Sequence, residues 1–286
     1  MTITTKTHVH SLATTPLPAL ALLFLLTPVV HADADADPGT NEWSFKIAPY
    51  AWLAGTGGTI VTGGEETDFD LSFDEILELT TGGFQINAQA RYKRFFLTFD
   101  GTWATLGHGE DLLGGRVDFE VKQVIAELHG GYRLIGPEFR SSHPDTWAYE
   151  AGSMALDAYL GIRYWRTDLS LSVDLPGLPP IIPPTQVSGT SIDEWVEPLI
   201  GARFGLGLTP KVGVAINGNV GGFGIDDAAD LTWTLTMLFD WRFANKWSAA
   251  FGWRTQSVED ISGSGVDRNG SEMVTTGPLV GIVFNF

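Results

Sequence analysis

The sequence predicts an all-β fold: an antiparallel, up-and-down transmembrane β-barrel of ten strands, with eight or twelve as the flanking counts. Three observations carry this. Apolar and polar residues alternate with a period of two in segment after segment. The connections between those segments alternate between short turns and long polar links. Large rings gather at the ends of the apolar faces, not at their middles. Successive strand side chains point to opposite faces, so such alternation marks walls that are greasy on one side and wet on the other.

Composition narrows the function classes. With 17 Lys+Arg against 34 Asp+Glu the chain carries a formal charge of −17, the wrong sign for nucleic-acid binding. It has no cysteine, which excludes disulfides, thiolate metal sites and a catalytic thiol. At 44% apolar residues it can bury a core. Outside the leader it holds no apolar run of helical membrane-span length.

The chain opens with Lys6, an apolar core Leu17–Leu26 and the triplet Val30-His31-Ala32. That is the pattern of a secretory signal peptide over residues 1–32, cleaved after Ala32. Residues 33–42, beginning Asp33–Pro38, read as an acidic lead-in, and 43–286 as the barrel.

In the stretch Phe84–Tyr92, Phe84, Ile86, Ala88, Ala90 and Tyr92 share one face while Gln85, Asn87, Gln89 and Arg91 share the other. The pattern returns with Leu156, Ala158, Leu160, Ile162 and Tyr164 against Asp157 and Arg163, and with Val196, Ile200, Ala202 and Phe204 against Glu197 and Arg203. Ten strands follow, near 43–54, 84–92, 95–106, 117–132, 156–172, 192–208, 212–223, 231–243, 247–258 and 272–286. The fourth changes phase at Lys122-Gln123, where a β-bulge is expected. Tight turns fall at Lys93-Arg94, Thr209-Pro210-Lys211 and Ala244-Asn245-Lys246; the links 55–83, 107–116, 173–191, 224–230 and 259–271 are mostly longer, and 133–155 is long for the turn side. Short turns on one side and long loops on the other suit a membrane barrel.

The polar faces carry Lys46, Arg91, Lys122, Arg163, Arg203, Arg242 and Arg254 against Asp100, Asp118, Glu120, Glu127, Asp157, Glu197 and Asp240. This balance suits a narrow lumen, where an unpaired charge is costly. The candidate lumen residues are Arg91, Asp100, Glu127, His129, Asp157, Arg163, Glu197, Arg203 and Arg254. Trp43, Phe45, Tyr92, Phe95, Phe204, Trp241, Phe243, Trp247, Phe284 and Phe286 lie at the turn end, with Trp103, Tyr164, Trp233 and Trp253 toward the loop end. Two such belts match the two interfaces of a bilayer.

The segment Trp43-Ser-Phe-Lys-Ile-Ala-Pro-Tyr-Ala-Trp52-Leu-Ala-Gly55, with Leu160-Gly-Ile-Arg-Tyr-Trp165, Trp195-Val-Glu-Pro-Leu-Ile-Gly-Ala-Arg203 and Gly277-Pro-Leu-Val-Gly281, resembles the small Gram-negative outer-membrane barrels of the OmpA/OmpW kind, mostly without assigned function. The resemblance implies an integral outer-membrane protein in contact with lipid and lipopolysaccharide, handled by the barrel-assembly machinery through Phe286. It implies no chemistry, since one barrel hosts many functions. Ten-stranded omptin proteases are similar in size, and their pattern implies an Asp-x-Asp and an Asp-x-His pair. Asp68-Phe-Asp70 supplies the first spacing, but Asp-x-His occurs nowhere. His129 beside Glu127 reads as a lumen polar residue, and Ser141-Ser-His143-Pro-Asp145 as a solvated turn. No enzyme activity, cofactor or structural metal site is expected.

Two functional expectations remain open. One is a narrow passive pore for small hydrophilic solutes, its lumen lined by paired charges. The other is a lumen plugged by those same pairs, in a structural or surface-interaction barrel that acts through its loops. The loop 63–82 holds Glu65, Glu66, Asp68, Asp70, Asp74, Glu75 and Glu78 without a basic residue, and Ser72–Glu75 resembles a capping box opening a short helix. Those carboxylates would suit divalent cations, or form a solvated acidic loop. The apolar, Pro-rich Leu175–Pro184 would cover the mouth or present a patch.

Overall fold

The computed structural model describes residues 43–112, 115–138, 151–175 and 185–286; the expected leader 1–32 and lead-in 33–42, the Ser141–Asp145 segment and the Pro-rich residues 176–184 lie outside these. The elements are β1 (Trp43–Trp52), β2 (Gly55–Thr62), β3 (Glu65–Leu71), α1 (Phe73–Leu79), β4 (Thr80–Tyr92), β5 (Phe95–Leu112), β6 (Gly115–Ile135), β7 (Met154–Leu175), β8 (Thr185–Thr209), β9 (Val212–Gly222), β10 (Leu231–Ala244), β11 (Trp247–Ser262) and β12 (Asn269–Asn285). The sheet runs β1-β4-β5-β6-β7-β8-β9-β10-β11-β12 and closes through β1–β12, with β2 and β3 added beside β12. Ten antiparallel strands therefore close the barrel, and the β2–β3 hairpin stands on its rim.

Cross-strand partners fix the geometry. From Lys46 the path passes Gln89, Thr98, His129, Gly161, Leu199, Gly221, Thr232, Val258 and Met273, and returns to the first wall at Gly58, twelve residues on. With ordinary strand spacings, that stagger over ten strands tilts them by about 40° and gives a backbone radius of about 10 Å. A barrel this narrow is largely filled by its own side chains.

The outer wall is apolar. Leu97, Leu128, Leu160, Ile162, Val196, Ile200, Met237 and Phe251 stand exposed on it, Leu160 at 71%. Rings cluster at the turn end: Trp43 on Tyr92 at 4.9 Å, Phe45 on Phe286 at 5.6 Å, Phe95 on Tyr132 at 5.0 Å and Trp247 on Phe284 at 4.6 Å between centroids. The tight turns at Lys93-Arg94, Pro210-Lys211 and Asn245-Lys246 stand as expected, and Lys93 takes φ 54° to close the first.

Four expectations need correction. The link 55–83 is a hairpin and a helix, not a loop. The strands flanking 107–116, 173–191 and 259–271 run well into those links: β6, β7 and β8 have 21, 22 and 25 residues, whereas about ten cross a membrane. No bulge occurs at Lys122-Gln123, because pairing of β5 with β6 is unbroken from Phe95↔Tyr132 to Leu112↔Gly115; the β6 irregularity lies at Arg133/Ile135. Asp118, Glu120 and Lys122 are not in the lumen. They share the outer face with Leu128, and Glu120 pairs with Lys122 at 2.7 Å in the open.

The phase change is an inversion of polarity. On the upper part of β6–β8 the outward face is polar (Arg116, Asp118, Asp168, Ser170, Glu194), while Phe119, Val121, Leu169 and Leu171 share the inward face with Glu127 and Arg163. Within a bilayer only the outward face must be apolar; above it the outward face meets water, so the alternation reverses without any slip in register.

Candidate functional site: a filled lumen wall

The inward faces of β6, β7 and β8 build an array of five three-residue rows. From the turn side these are Arg133–Asp157–Arg203, Gly131–Tyr159–Gly201, His129–Gly161–Leu199, Glu127–Arg163–Glu197 and Ile125–Trp165–Trp195. Each row is a set of adjacent ladder partners, so the charges meet because register places them side by side.

The lowest row is a plus–minus–plus triad. Arg133 Nε donates to Asp157 Oδ1 at 2.8 Å, and Arg203 Nη2 donates to Asp157 Oδ2 at 2.6 Å. The fourth row reverses the signs. Arg163 Nη1 donates to Glu197 Oε1 at 2.8 Å and Nη2 to Glu127 Oε2 at 3.0 Å, with Thr232 and Asn219 also accepting from its guanidinium. Asp157, Arg163 and Glu197 are each 0% exposed. Between the triads, Tyr159 donates to Asn217 Oδ1 at 2.8 Å and stacks on His129 at 4.2 Å, whose Nδ1 lies 2.9 Å from Glu127 Oε1. Gly201 makes room for this ring: a Cβ there would stand 2.3 Å from Tyr159 Cζ.

Above the acidic triad the lumen turns apolar. Trp165 stacks on Trp195 at 5.5 Å, and with Ile125 and Val258 they pack on Ala229, which is 1% exposed. Ala229 belongs to the connection 223–230, so this link enters the mouth instead of standing out in solvent. Phe223 and Asp226 hold φ of 65° and 52° in it, a conformation that costs an ordinary residue of the order of 1–3 kcal/mol. Buried packing of Ala228 and Ala229 offsets that cost.

The opposite wall is tied separately. Tyr50 donates to Asp100 Oδ1 at 2.8 Å, Asn87 Nδ2 donates to Asp100 Oδ2 at 3.0 Å, and Arg254 Nη1 donates to the Tyr50 hydroxyl at 2.9 Å. Small residues there (Ala48, Ala215, Ala250, Gly281) leave a cavity of about 140 Å³ between the walls, reaching from Gln256 to Asn285 at the turn end.

The nine residues singled out from sequence all face the lumen. Asp157 with Arg203, Arg163 with Glu127 and Glu197, and Arg254 with Asp100 come together; Arg91 lies apart, its Nε donating to Gln89 Oε1. Arg133 was missed because it was assigned to the 133–155 link, and Tyr159, Trp165 and Trp195 were missed as lumen residues. Parity would have found all four, since each keeps the odd spacing of Glu127, Asp157, Arg163 or Glu197.

On the rim, α1 opens with the expected capping box: Glu75 N donates to Ser72 Oγ at 3.4 Å and Ser72 N to Glu75 Oε2 at 2.8 Å. The Ser72 hydroxyl also donates to Glu75 Oε2 at 2.7 Å, and this bond, with the one from Ser72 N, holds the Glu75 carboxyl below its usual value. The other carboxylates of this segment are spread out: Glu66 pairs with Arg268, and Asp68 accepts from Thr59 at 2.7 Å. Among the described residues no three acidic or histidine groups converge as a metal site. Burial pushes Asp193 and Asp260 upward, and Asp230 adds repulsion to Asp260.

The architecture is that of a closed, up-and-down antiparallel β-barrel of ten strands. No protein-family model and no curated protein sequence matches this chain. Similar solved structures include the outer-membrane protease OmpT of Escherichia coli, 8% identical with a TM-score of 0.41 over 88% of this chain and 99% of that one. The attachment invasion locus protein Ail of Yersinia pestis, solved with a heparin analogue, is 10% identical with a TM-score of 0.34 over 86% and 99%. Acinetobacter baumannii CarO is 11% identical with a TM-score of 0.28 over 82% and 97%. At these identities the likeness is one of fold alone.

Proposed function

We propose that this chain is an integral protein of the Gram-negative outer membrane whose lumen is closed, and which acts through its loop-side crown. The observation that carries this is the acidic triad Glu127–Arg163–Glu197 buried under the Trp165–Trp195–Ala229 layer. Groups consumed in mutual ion pairs and capped by apolar side chains do not line a hydrated path. An apolar outer wall between belts of rings supports the bilayer setting. Of the two expectations drawn from sequence, the plugged barrel is therefore preferred over the passive pore. A hydrolytic reading has little support, since the His129 ring is stacked on Tyr159 and set edge-on to Phe96.

Planar-bilayer recording of the purified, folded protein tests the reading. We expect a silent membrane from the native chain and leak currents from Arg163→Ala. Steady unitary conductance from the native chain would reinstate the pore.

A further inference from the structure

On the loop side the closed wall gives way to free strand edges. Among the described residues β5 beyond Leu106 pairs only with β6, β8 ahead of Leu199 only with β7, and β3 along its whole length only with β2. An open edge presents a row of unpaired backbone N–H and C=O groups that another extended chain can complete. The β8 edge carries no charge over Thr185–Ile192, so it selects no partner. The β5 edge has Arg116 beside its Asp111 at 3.7 Å.

The β3 edge differs in geometry and in charge. Gly63 and Gly64, at φ of 63° and 82°, close a two-residue hairpin of the kind that needs two left-handed residues. Thr62 and Glu65 then form a hydrogen-bonded pair, and the backbones of Thr67, Phe69 and Leu71 turn toward β2 in their turn. The carbonyl oxygens of Phe69 and Leu71 do lie over β2, beside Gly57 and Gly55. The N–H and C=O groups of Glu66, Asp68 and Asp70 therefore point to the free edge.

The side chains of those same three residues share one exposed face. Glu66 pairs with Arg268, and Asp68 accepts from the Thr59 hydroxyl, yet the surroundings stay negative, because residues 47–90 include no lysine or arginine. The other face sets Phe69 and Leu71 near Ile60, which is half exposed. Cross-strand neighbours on one face interact directly. Such an edge repels a second copy of this acidic chain and fits a strand whose residues alternate between basic and apolar.

We propose that β3 is a docking edge for an extended basic segment of another protein, which adds to the crown as a further strand. Its backbone completes the hydrogen bonds of Glu66, Asp68 and Asp70, and its lysine or arginine side chains lie against their carboxylates. The inference rests on the crown as the acting surface. The two fail separately: steady native conductance removes the closed lumen, whereas docking is read from binding alone.

Fluorescence anisotropy of a short, end-capped peptide alternating lysine and valine, titrated with the full-length folded protein in neutral detergent, tests this. We expect saturable binding, with the amide I band of the carbon-13-labelled peptide moving to its β-strand position. The same composition arranged as a lysine block and a valine block should bind more weakly, since it matches neither face. Asp70→Pro removes one edge N–H but keeps the hairpin, because an edge strand tolerates proline where its N–H faces outward. It should weaken binding about tenfold, as a lost hydrogen bond leaves its partner unpaired, whereas Asp70→Asn keeps the N–H and should weaken it less. Heat-modifiable gel mobility confirms that both variants are folded. Absence of binding by the native chain, equal binding of the block peptide, or an Asp70→Pro chain that binds as well as Asp70→Asn would overturn the proposal, leaving the acids as protection of an exposed edge.

Discussion

Arg163 shows how one side chain can hold a wall together. It reaches Glu127 on β6, Glu197 on β8, Asn219 on β9 and Thr232 on β10 from its own position on β7. Removing it strands two carboxylates in a water-poor interior, where breaking one partner of a buried pair costs about 3–5 kcal/mol. Arg163→Ala should therefore lower the temperature at which the folded band converts on a heat-modifiability gel. Arg163→Ala combined with Glu197→Gln should recover part of the loss; if the double variant is no more stable than the single, repulsion among stranded acids is not the cause. Leu160 tests the other face. At 71% exposure its substitution by Arg would be harmless in water, yet on a lipid-facing wall it costs about 2–4 kcal/mol. We expect Leu160→Arg to fold poorly into vesicles, and normal insertion would argue against the bilayer setting.

At the level of elements, α1 and the 223–230 connection behave differently because one is capped by charge and the other by packing. The Glu75 carboxyl, held low by Ser72, contributes stability above the ordinary carboxylate range and loses it as pH falls through its own depressed value. The protection factors of the α1 amides, taken relative to intrinsic exchange at each pH, should fall on acidification, and Ser72→Ala should abolish that dependence. Asp193 and Asp260 have the opposite sign, since raised carboxyls oppose folding when ionised. Their contribution improves as pH falls below their raised values, so the top of β11 should gain exchange protection over that window, and Asp260→Asn should remove the effect. The 223–230 connection is fixed by Ala229 against Trp165 and Val258. Ala229→Asp should expel it from the mouth and raise the iodide quenching of tryptophan fluorescence.

At the scale of the whole molecule, stagger turns a flat list of charges into a vertical arrangement. A single ladder rung links Arg133, Asp157, Arg203, Asn217, Thr236 and Arg254. Because the strands tilt by about 40°, this rung begins at the turn side on β6 and ends toward the loop side on β11. Hence Arg254 reaches Tyr50 on β1 and Asp100 on β5 as well as its rung neighbour Thr236.

Period-two alternation was enough to determine the ten barrel strands, the tight turns and, outside the upper part of β6, which side chains point inward, because side-chain direction on a strand depends only on parity. The capping box at Ser72 was legible for the same local reason. Strand length was not legible: above the bilayer both faces escape the lipid constraint, so the pattern that marks a strand inverts, and the extensions read as loops. The β2–β3 hairpin lay hidden in a segment whose carboxylates face water on either side. Which charges pair, which half of the lumen each occupies, and the folding of Ala229 onto Trp165 depend on register and stagger around a closed wall. Those are properties of strands far apart in the chain, so only the tertiary structure decides them.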